Sequence, residues 1–383
     1  MNRLIETSWS SLSKYGEELC GDNIEIARTA DAVVAVLADG LGSGVKANIL
    51  SKMTAKIIAT MFEKGATLQE VVETVTDTLP LCQKRNLAYS TFTIIQVRKD
   101  GETYIVEFDN PAVFYLEQGK IRKMTAEPVE ICGKRIMESR FVMRPGDTII
   151  AVSDGVIHAG IGEILNLGWQ WENVAEYLEQ IAVNNLDAES WCQWLMNACE
   201  QLYAGKPGDD TSVLTVKLRN PRTLTVALGP PRHRTDDAEL VRLIMAEPGK
   251  RVICGGTTGG IVARHLGQEI EVNLEQLDPV IPPTGRLPGM ELVTEGIITV
   301  SNALQYLKQY KNVTELPEPT NGALALARLL MESDKIQFLV GKAVNPAHQN
   351  PDLPLNATLK MQVIKEICDL MQKRGKDVAV RYF

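Results

Sequence analysis

The chain is poor in the residues that build sulfur- or nitrogen-ligated sites. Its 383 residues include four histidines and seven cysteines. The cysteines are scattered, with no Cys-x-x-Cys pair, so neither a disulfide framework nor a zinc site is expected. A reducing cytoplasm is the natural compartment for such a chain. An excess of positive charge is also missing: 40 Lys and Arg stand against 48 Asp and Glu, a net −8. Nucleic acid and anionic membrane surfaces, which call for a basic face, are therefore not expected as partners. No apolar run approaches the roughly 20 residues of a membrane-spanning helix, and the first residues carry no signal-peptide core. Trp169, Trp171, Trp191 and Trp194 lie in a stretch without the interleaved basic residues of a base-stacking platform, so they read as core. Internal repeats and low-complexity tracts are absent, and the length suits two or three domains.

What the chain does have is a pattern of aspartates at the ends of apolar strands. Val33 to Ala38 is a run of β-branched and small apolar residues, the signature of a buried strand, and it ends on Asp39-Gly40. A carboxylate at the end of a buried strand is costly unless something positive meets it. Gly40, Gly42 and Gly44 follow, and then a helical pattern from Val45 to Phe62 with Ile49, Met53, Ile57, Ile58 and Met61 on one apolar face. Taken alone, Asp39-Gly40 also reads as a simple turn.

The motif recurs. Thr148 to Val152 is apolar and ends on Ser153-Asp154-Gly155, and Gly208-Asp209-Asp210 precedes the strand Ser212 to Leu218. Asp22 sits in a turn-like Gly-Asp-Asn before Ile24 to Ala27, which forms a hairpin with the Val33 strand. Strands are also expected over 87–97 and 102–109 across Asp100-Gly101, and on both sides of Gln118-Gly119. Thr67 with Glu70 caps a helix over 67–79, and 169–203 reads as helical. Aspartate oxygens gathered in this way suit Mg²⁺ or Mn²⁺.

The order and spacing of Gly21-Asp22-Asn23, the ADGLGSG of 38–44, the SDG of 153–155 and the GDDTSVL of 208–214 resemble the metal-dependent PPM (2C class) serine/threonine phosphatases. Within that class the bacterial stage II sporulation E type is the most similar, over about residues 10–218. The resemblance implies an α+β four-layer α-β-β-α sandwich for residues 1–219 with two Mn²⁺ or Mg²⁺ ions at one end. Asp39 would bridge both ions, the Gly40 carbonyl would bind the second, Asp154 and Asp209 would hold the first, and Asp22 would reach the second through water. Asp210 would orient its neighbours. The implied activity is hydrolysis of a phosphomonoester by direct attack of a metal-bridging water, with no phosphoenzyme. Two metals about 4 Å apart clamp both oxygens of an in-line displacement. The substrate would be a phosphoprotein of the anti-sigma-factor antagonist type. Leu41 stands where eukaryotic members place a histidine, Lys14 is the candidate for gripping substrate phosphate, and His158 reads either as an acid or as a structural residue. A phosphatase fold that only binds, and a phosphatase acting on a small phosphate ester, are the alternatives.

Beyond Asn220-Pro221 the text changes. Strands at 223–228, 251–254, 291–295, 335–340 and 378–383 alternate with helices at 236–246, 259–266, 298–309, 323–332 and 355–373, the pattern of an α/β doubly wound parallel sheet over 221–383. A short strand is expected at 269–274, and the proline-rich 279–288 reads as a loop. Ligands bind such sheets at the carboxyl ends of the strands. There the chain carries Arg232, the Gly256-Thr257-Thr258 loop, Glu295 and His348, a candidate site for an anionic ligand in a regulatory or ligand-binding domain. A homodimer formed through this region stays open.

Overall fold

The computed structural model describes residues 3–78, 90–162, 164–184, 186–273, 278, 280–343 and 355–383. The chain divides into two compact units, Met1–Asn220 and Pro221–Phe383.

The first unit is built on two antiparallel sheets. One runs in the order Asp22–Arg28, Ala32–Gly40, Ser90–Arg98, Glu102–Phe108, Lys134–Val142, Glu127–Ile131. The other runs Leu4–Leu12, Thr211–Arg219, Thr148–Val152, Phe114–Glu117, Lys120–Ile121. Side chains alternate across a strand, so each strand can feed two cores. Val33, Ala35 and Leu37 meet Ile149, Ala151, Leu214 and Val216 between the sheets. Val34, Val36 and Ala38 point the other way, into a core with Ala55, Ile58 and Val72 from helices Gly44–Glu63 and Leu68–Thr78. Burial on both faces is why the Val33 run is apolar without interruption. The second sheet turns Phe114, Ile150 and Val152 toward Val174, Leu178 and Leu195 of helices Trp171–Ile181 and Ala188–Leu202. The layers are thus helix, sheet, sheet, helix.

Local signals act where the residues dictate. The Glu70 carboxylate accepts from the Thr67 amide at 2.8 Å and from its hydroxyl at 2.9 Å, closing the capping box. Gln118 and Gly119 adopt φ of 51° and 78°, the left-handed pair of a tight hairpin turn. Two expectations need correction. Residues 169–203 form two helices, separated by a 3₁₀ turn at Ala182–Asn184 and capped anew by Asp187, which accepts from the Ser190 amide at 2.8 Å. The buried face of helix Gly44–Glu63 is Ala47, Ser51, Thr54, Ala55, Ile58, Ala59 and Phe62, not the stripe through Ile49 and Met53. Close packing against the sheet selects the small residues, and Val45, Ile49 and Met53 are left exposed.

The second unit holds one seven-stranded sheet, in the order Glu271–Val272, Gly285–Arg286, Leu292–Thr294, Lys250–Cys254, Thr223–Leu228, Lys335–Val340, Asp377–Tyr382. The last five are parallel, while the first two pair antiparallel. The sheet is therefore mixed rather than wholly parallel: the edge strand Glu271–Val272 falls within the short strand expected at 269–274, and the proline-rich stretch, expected as a loop, contributes the strand Gly285–Arg286 beside it. Helices Ile297–Gln309, Gly322–Glu332 and Leu355–Lys373 share one core with the sheet. Helices Asp237–Ala246 and Gly256–Leu266 share another. The second of these starts three residues before the expected Gly259, so the GGTTGG segment supplies a first helical turn rather than a free loop. Among the described residues no helix is long and apolar enough to cross a membrane.

The contrast on helix Gly44–Glu63 is measurable. All five tryptophans lie in the first 219 residues, so their fluorescence follows urea unfolding of the first unit. Ile58, fully buried, is expected to cost about 2–5 kcal/mol on substitution by alanine. Ile49→Ala is expected to stay within about 0.5 kcal/mol of the parent. Equal losses would restore Ile49 to the core.

Candidate active site

Four strand ends bring their carboxylates to one place. The hairpin register sets Asp22 directly opposite Asp39. Asp154 opens the short helix Asp154–Ile157 after the strand Thr148–Val152. Asp209 and Asp210 precede the strand Thr211–Arg219, which pairs with Thr148–Val152. Asp39, Gly40, Asp154, Asp209 and Asp210 line a cavity of about 390 Å³ together with Lys14, Leu41, Ser90, Thr91, Asp109 and Asn110. Asp22 is buried beneath it, 4% exposed.

Glycine next to these aspartates is a packing requirement. A Cβ on Gly40 would sit 2.3 Å from the Ala47 carbonyl oxygen of the helix that follows. A Cβ on Gly155 would lie 2.1 Å from the Asp210 carbonyl oxygen, and one on Gly21 2.7 Å from Asp210 Oδ2. The backbone is pinned as well. The Ser90 hydroxyl donates to the Asp39 carbonyl at 2.8 Å, and the Tyr203 hydroxyl to the Gly155 carbonyl at 2.7 Å.

The electrostatics are one-sided. Burial, followed by the charges of Asp22 and Asp154, pushes the Asp39 pKa well above the carboxylate range. Burial also raises Asp22; the Ser153 and Ser212 side chains oppose the shift, yet both Asp22 oxygens lack a hydrogen bond of ordinary geometry. Asp154 is raised by burial and then by Asp209, with His158 close enough to pull it back. The one cation among the lining residues is Lys14, whose Nζ stands 3.7 Å from Asp209 Oδ1. Both partners are about 40% exposed, so the pair is weak and Lys14 is free to meet another anion. The Lys14 amide donates to Asp210 Oδ1 at 3.0 Å, while the buried Asp210 Oδ2 has no partner.

These features fit a hard divalent cation. The donors are all oxygen, the buried oxygens of Asp22 and Asp210 are orphaned, and the carboxylates repel one another without a counter-charge. Among the described residues, however, no three His, Cys, Asp or Glu side chains stand together as a closed ligand set. His158 is not among the lining residues, while Leu41 is, 49% exposed.

Asp109 and Asn110 were not among the residues expected at the site. Asn110 accepts from the Thr91 hydroxyl at 2.6 Å and donates to Thr93 Oγ1 at 3.1 Å. Asp109-Asn110-Pro111 follows the strand Glu102–Phe108, and what brings it to the site is the long-range tie to Thr91. In the second unit Gly256, Thr257 and Thr258 form the first turn of helix Gly256–Leu266. Glu295 follows the neighbouring strand, joined to it where the Gly255 amide donates to the Thr294 carbonyl at 2.8 Å. Arg232 is exposed in the segment after strand Thr223–Leu228, and His348 lies outside the described residues.

Residues 29–219 match the family described as Stage II sporulation protein E (SpoIIE). No curated protein matches the chain. Among solved structures, the PP2C phosphatase domain with a fragment of the regulatory domain of SpoIIE from Bacillus subtilis is 20% identical, with a TM-score of 0.48. The match covers 57% of this chain and 62% of that one, so less than two thirds of the relative's length is spanned. The RsbU and RsbW domains of a Mycobacterium tuberculosis protein are 17% identical over 63% of this chain and 69% of that one, with a TM-score of 0.44. RsbX in complex with magnesium is 16% identical over 56% of this chain and 95% of that one, with a TM-score of 0.40.

The charge distribution sets a pH dependence. Asp22 and Asp39 have folded-state pKa values above their ordinary ones. The chelated protein therefore loses stability as pH rises above the ordinary carboxylate range, near pH 4. A cation bound at these carboxylates would compete with those protons and stabilise the fold by mass action. The rise in Tm on adding Mn²⁺ is expected to be larger at pH 8 than at pH 5.5, read by differential scanning fluorimetry. A shift independent of pH would mean that the cation binds elsewhere.

Proposed function

Residues 29–219 of this chain belong to the stage II sporulation protein E family of PP2C-type phosphatases, and from that premise we propose that the chain is a divalent-metal-dependent serine/threonine phosphoprotein phosphatase. The observation that carries this reading is the arrival of Asp39, Asp154 and Asp209 in one pocket, above the buried Asp22, with a single cation in its described lining.

Asp22, Asp39, Asp154, Asp209 and the Gly40 carbonyl are the groups that would hold two Mn²⁺ or Mg²⁺ ions. When bound, such ions lower the pKa of coordinated water and neutralise phosphoryl charge. The chain's own residues do the rest. Lys14, at the pocket wall, takes a phosphate oxygen in place of Asp209. Asp210 acts through Oδ1, which holds the Lys14 backbone beside Asp209. Ser90 fixes the Asp39 carbonyl and so holds the strand end that carries the carboxylate. Thr91 and Asn110, tied to each other, form a polar edge for a seryl or threonyl phosphate. Leu41 offers an apolar lip to the protein that carries it. That protein is proposed to be of the anti-sigma-factor antagonist type. The reading as a binding protein without turnover is favoured by one observation, the absence of a closed ligand set among the described residues.

The purified full-length chain with Mn²⁺ is expected to release phosphate from p-nitrophenyl phosphate, and EDTA to abolish the release. Asp39→Asn is expected to lower kcat/KM by at least about a hundredfold, roughly 2.7 kcal/mol. By removing a carboxylate that burial and its acidic neighbours force into the protonated form, the same change is expected to raise the Tm of the chelated protein. Lys14→Ala is expected to raise KM several-fold with a smaller effect on kcat. Phosphate release that survives chelation, or a fully active Asp39→Asn variant, would overturn the reading.

A further inference from the structure

In the second unit, adjacent parallel strands end on glycine at the same edge of the sheet. Gly229, Gly255 and Gly341 directly follow strands Thr223–Leu228, Lys250–Cys254 and Lys335–Val340, and Gly296 follows Leu292–Thr294 by one residue. The ends are tied side by side. The Gly229 amide donates to the Cys254 carbonyl at 3.2 Å, and a Cβ on Gly296 would lie 3.9 Å from the Gly255 Cα. Gly229 and Gly255 hold φ of 76° and 130°, where other residues are strained. The edge is thus walled by backbone.

Two helices begin on this row, Gly256–Leu266 after Gly255 and Ile297–Gln309 after Gly296, and neither has a side-chain cap. The first amides of each helix have no intrahelical acceptor, and they carry the positive end of the helix dipole. The third residue of each is a threonine. Thr258 and Thr299 are both 0% exposed, and both hydroxyls lack a partner. The Thr258 hydroxyl faces the row, 3.4 Å from where a Cβ on Gly255 would be. Thr299 turns its methyl toward Gly322. A buried hydroxyl left unpaired costs about 1–3 kcal/mol, so two of them beside uncapped helix ends describe acceptor-seeking groups. A cation joins them. Lys360 donates to the Gly341 carbonyl, and its Nζ would stand 2.9 Å from a Cβ on Gly229. Burial lowers its pKa.

We propose that this edge binds the phosphate group of a small organic phosphate. The phosphoryl oxygens accept from the first-turn amides of both helices, from the Thr258 and Thr299 hydroxyls, and from Lys360. The position fits the sheet. Strands Lys250–Cys254 and Leu292–Thr294 lie on one side of Thr223–Leu228, and Lys335–Val340 and Asp377–Tyr382 on the other. A reversal of strand order of this kind opens a crevice at the carboxyl ends; Gly229, Gly341 and Lys360 border it, and the two helix starts follow the next two strands on one side. Glu295, the carboxylate beside the row, suits a hydroxyl of the organic portion rather than the phosphate.

The test uses the full-length Asp39→Asn protein in EDTA, so that the carboxylate pocket of the first unit does not bind phosphate through a cation. Inorganic phosphate, pyrophosphate and adenosine 5′-monophosphate are titrated by calorimetry at constant ionic strength. At least one is expected to bind. Adding Thr258→Val with Thr299→Val is expected to weaken it about tenfold or more, since each lost hydrogen bond is worth about 1 kcal/mol. The ligand-free double variant is expected to be no less stable than its parent, because an unpaired hydroxyl has been replaced by a methyl. Lys360→Gln gives the same loss of affinity should the valine variant fail to fold. Absence of binding by all three probes at about 10 mM, or unchanged affinity in both variants, would overturn the proposal.

Discussion

Repulsion among carboxylates held at the ends of buried strands is the constraint on which the first unit depends. Asp22 and Asp39 come from one sheet, while Asp154 and Asp209 sit at strand ends of the other. They meet only because Leu37, Ile149, Ala151 and Leu214 lock the two sheets face to face. Burial favours the protonated forms of Asp22, Asp39 and Asp154, and the nearness of the others favours them further. Holding such groups together costs folding energy, and the apolar burial of the sandwich offsets it. The same arrangement leaves the pocket acidic, with Lys14 the one cation among its described lining residues.

The glycines beside these aspartates follow from the same constraint. Each occupies a place where a Cβ would strike a neighbouring chain, the Ala47 carbonyl at Gly40, the Asp210 carbonyl at Gly155, the Asp210 carboxylate at Gly21. Strand ends can crowd their acids into one pocket only if the intervening backbones approach within this distance. Asp-Gly in this chain is therefore a packing unit, in which glycine permits the approach and aspartate supplies the charge.

This explains which parts of the structure were legible in the sequence. Strands buried on both faces show as unbroken apolar runs, so Val33 to Ala38 and Thr148 to Val152 were plain, and with them Asp39 and Asp154. The capping box at Thr67 is a local hydrogen-bond pattern, and it survives in place. The helix after Gly44 was misread because periodicity weighs large apolar residues most. Its buried face is chosen by closeness to the sheet, which favours Ala47, Ser51 and Ala55 over Ile49 and Met53. Asp109-Asn110 was passed over because the hairpin ending there resembles any other turn. Its role comes from a long-range contact, Thr91 to Asn110, that no local pattern announces. In the second unit the strand positions were readable, the edge strand Glu271–Val272 among them, yet the antiparallel partner inside it was not. A two-residue strand such as Gly285–Arg286 has no periodicity to show.

The two units treat charge in opposite ways with the same residue. In the first, glycine lets backbones close in so that side-chain oxygens gather, and the cavity is lined by carboxylates. In the second, glycine stands at the strand ends with no acid beside Gly229, Gly255 or Gly341, and what is presented is backbone N–H at uncapped helix starts. An amide row has no charge to repel its own members, so it needs no counter-ion to fold, and its buried costs are confined to unpaired hydroxyls such as Thr258. The carboxylate pocket carries the cost of its crowded acids wherever no counter-charge meets them. The amide edge carries the cost of its two unpaired hydroxyls instead of charge repulsion, so a ligand there would gain affinity from contacts made rather than from repulsion relieved.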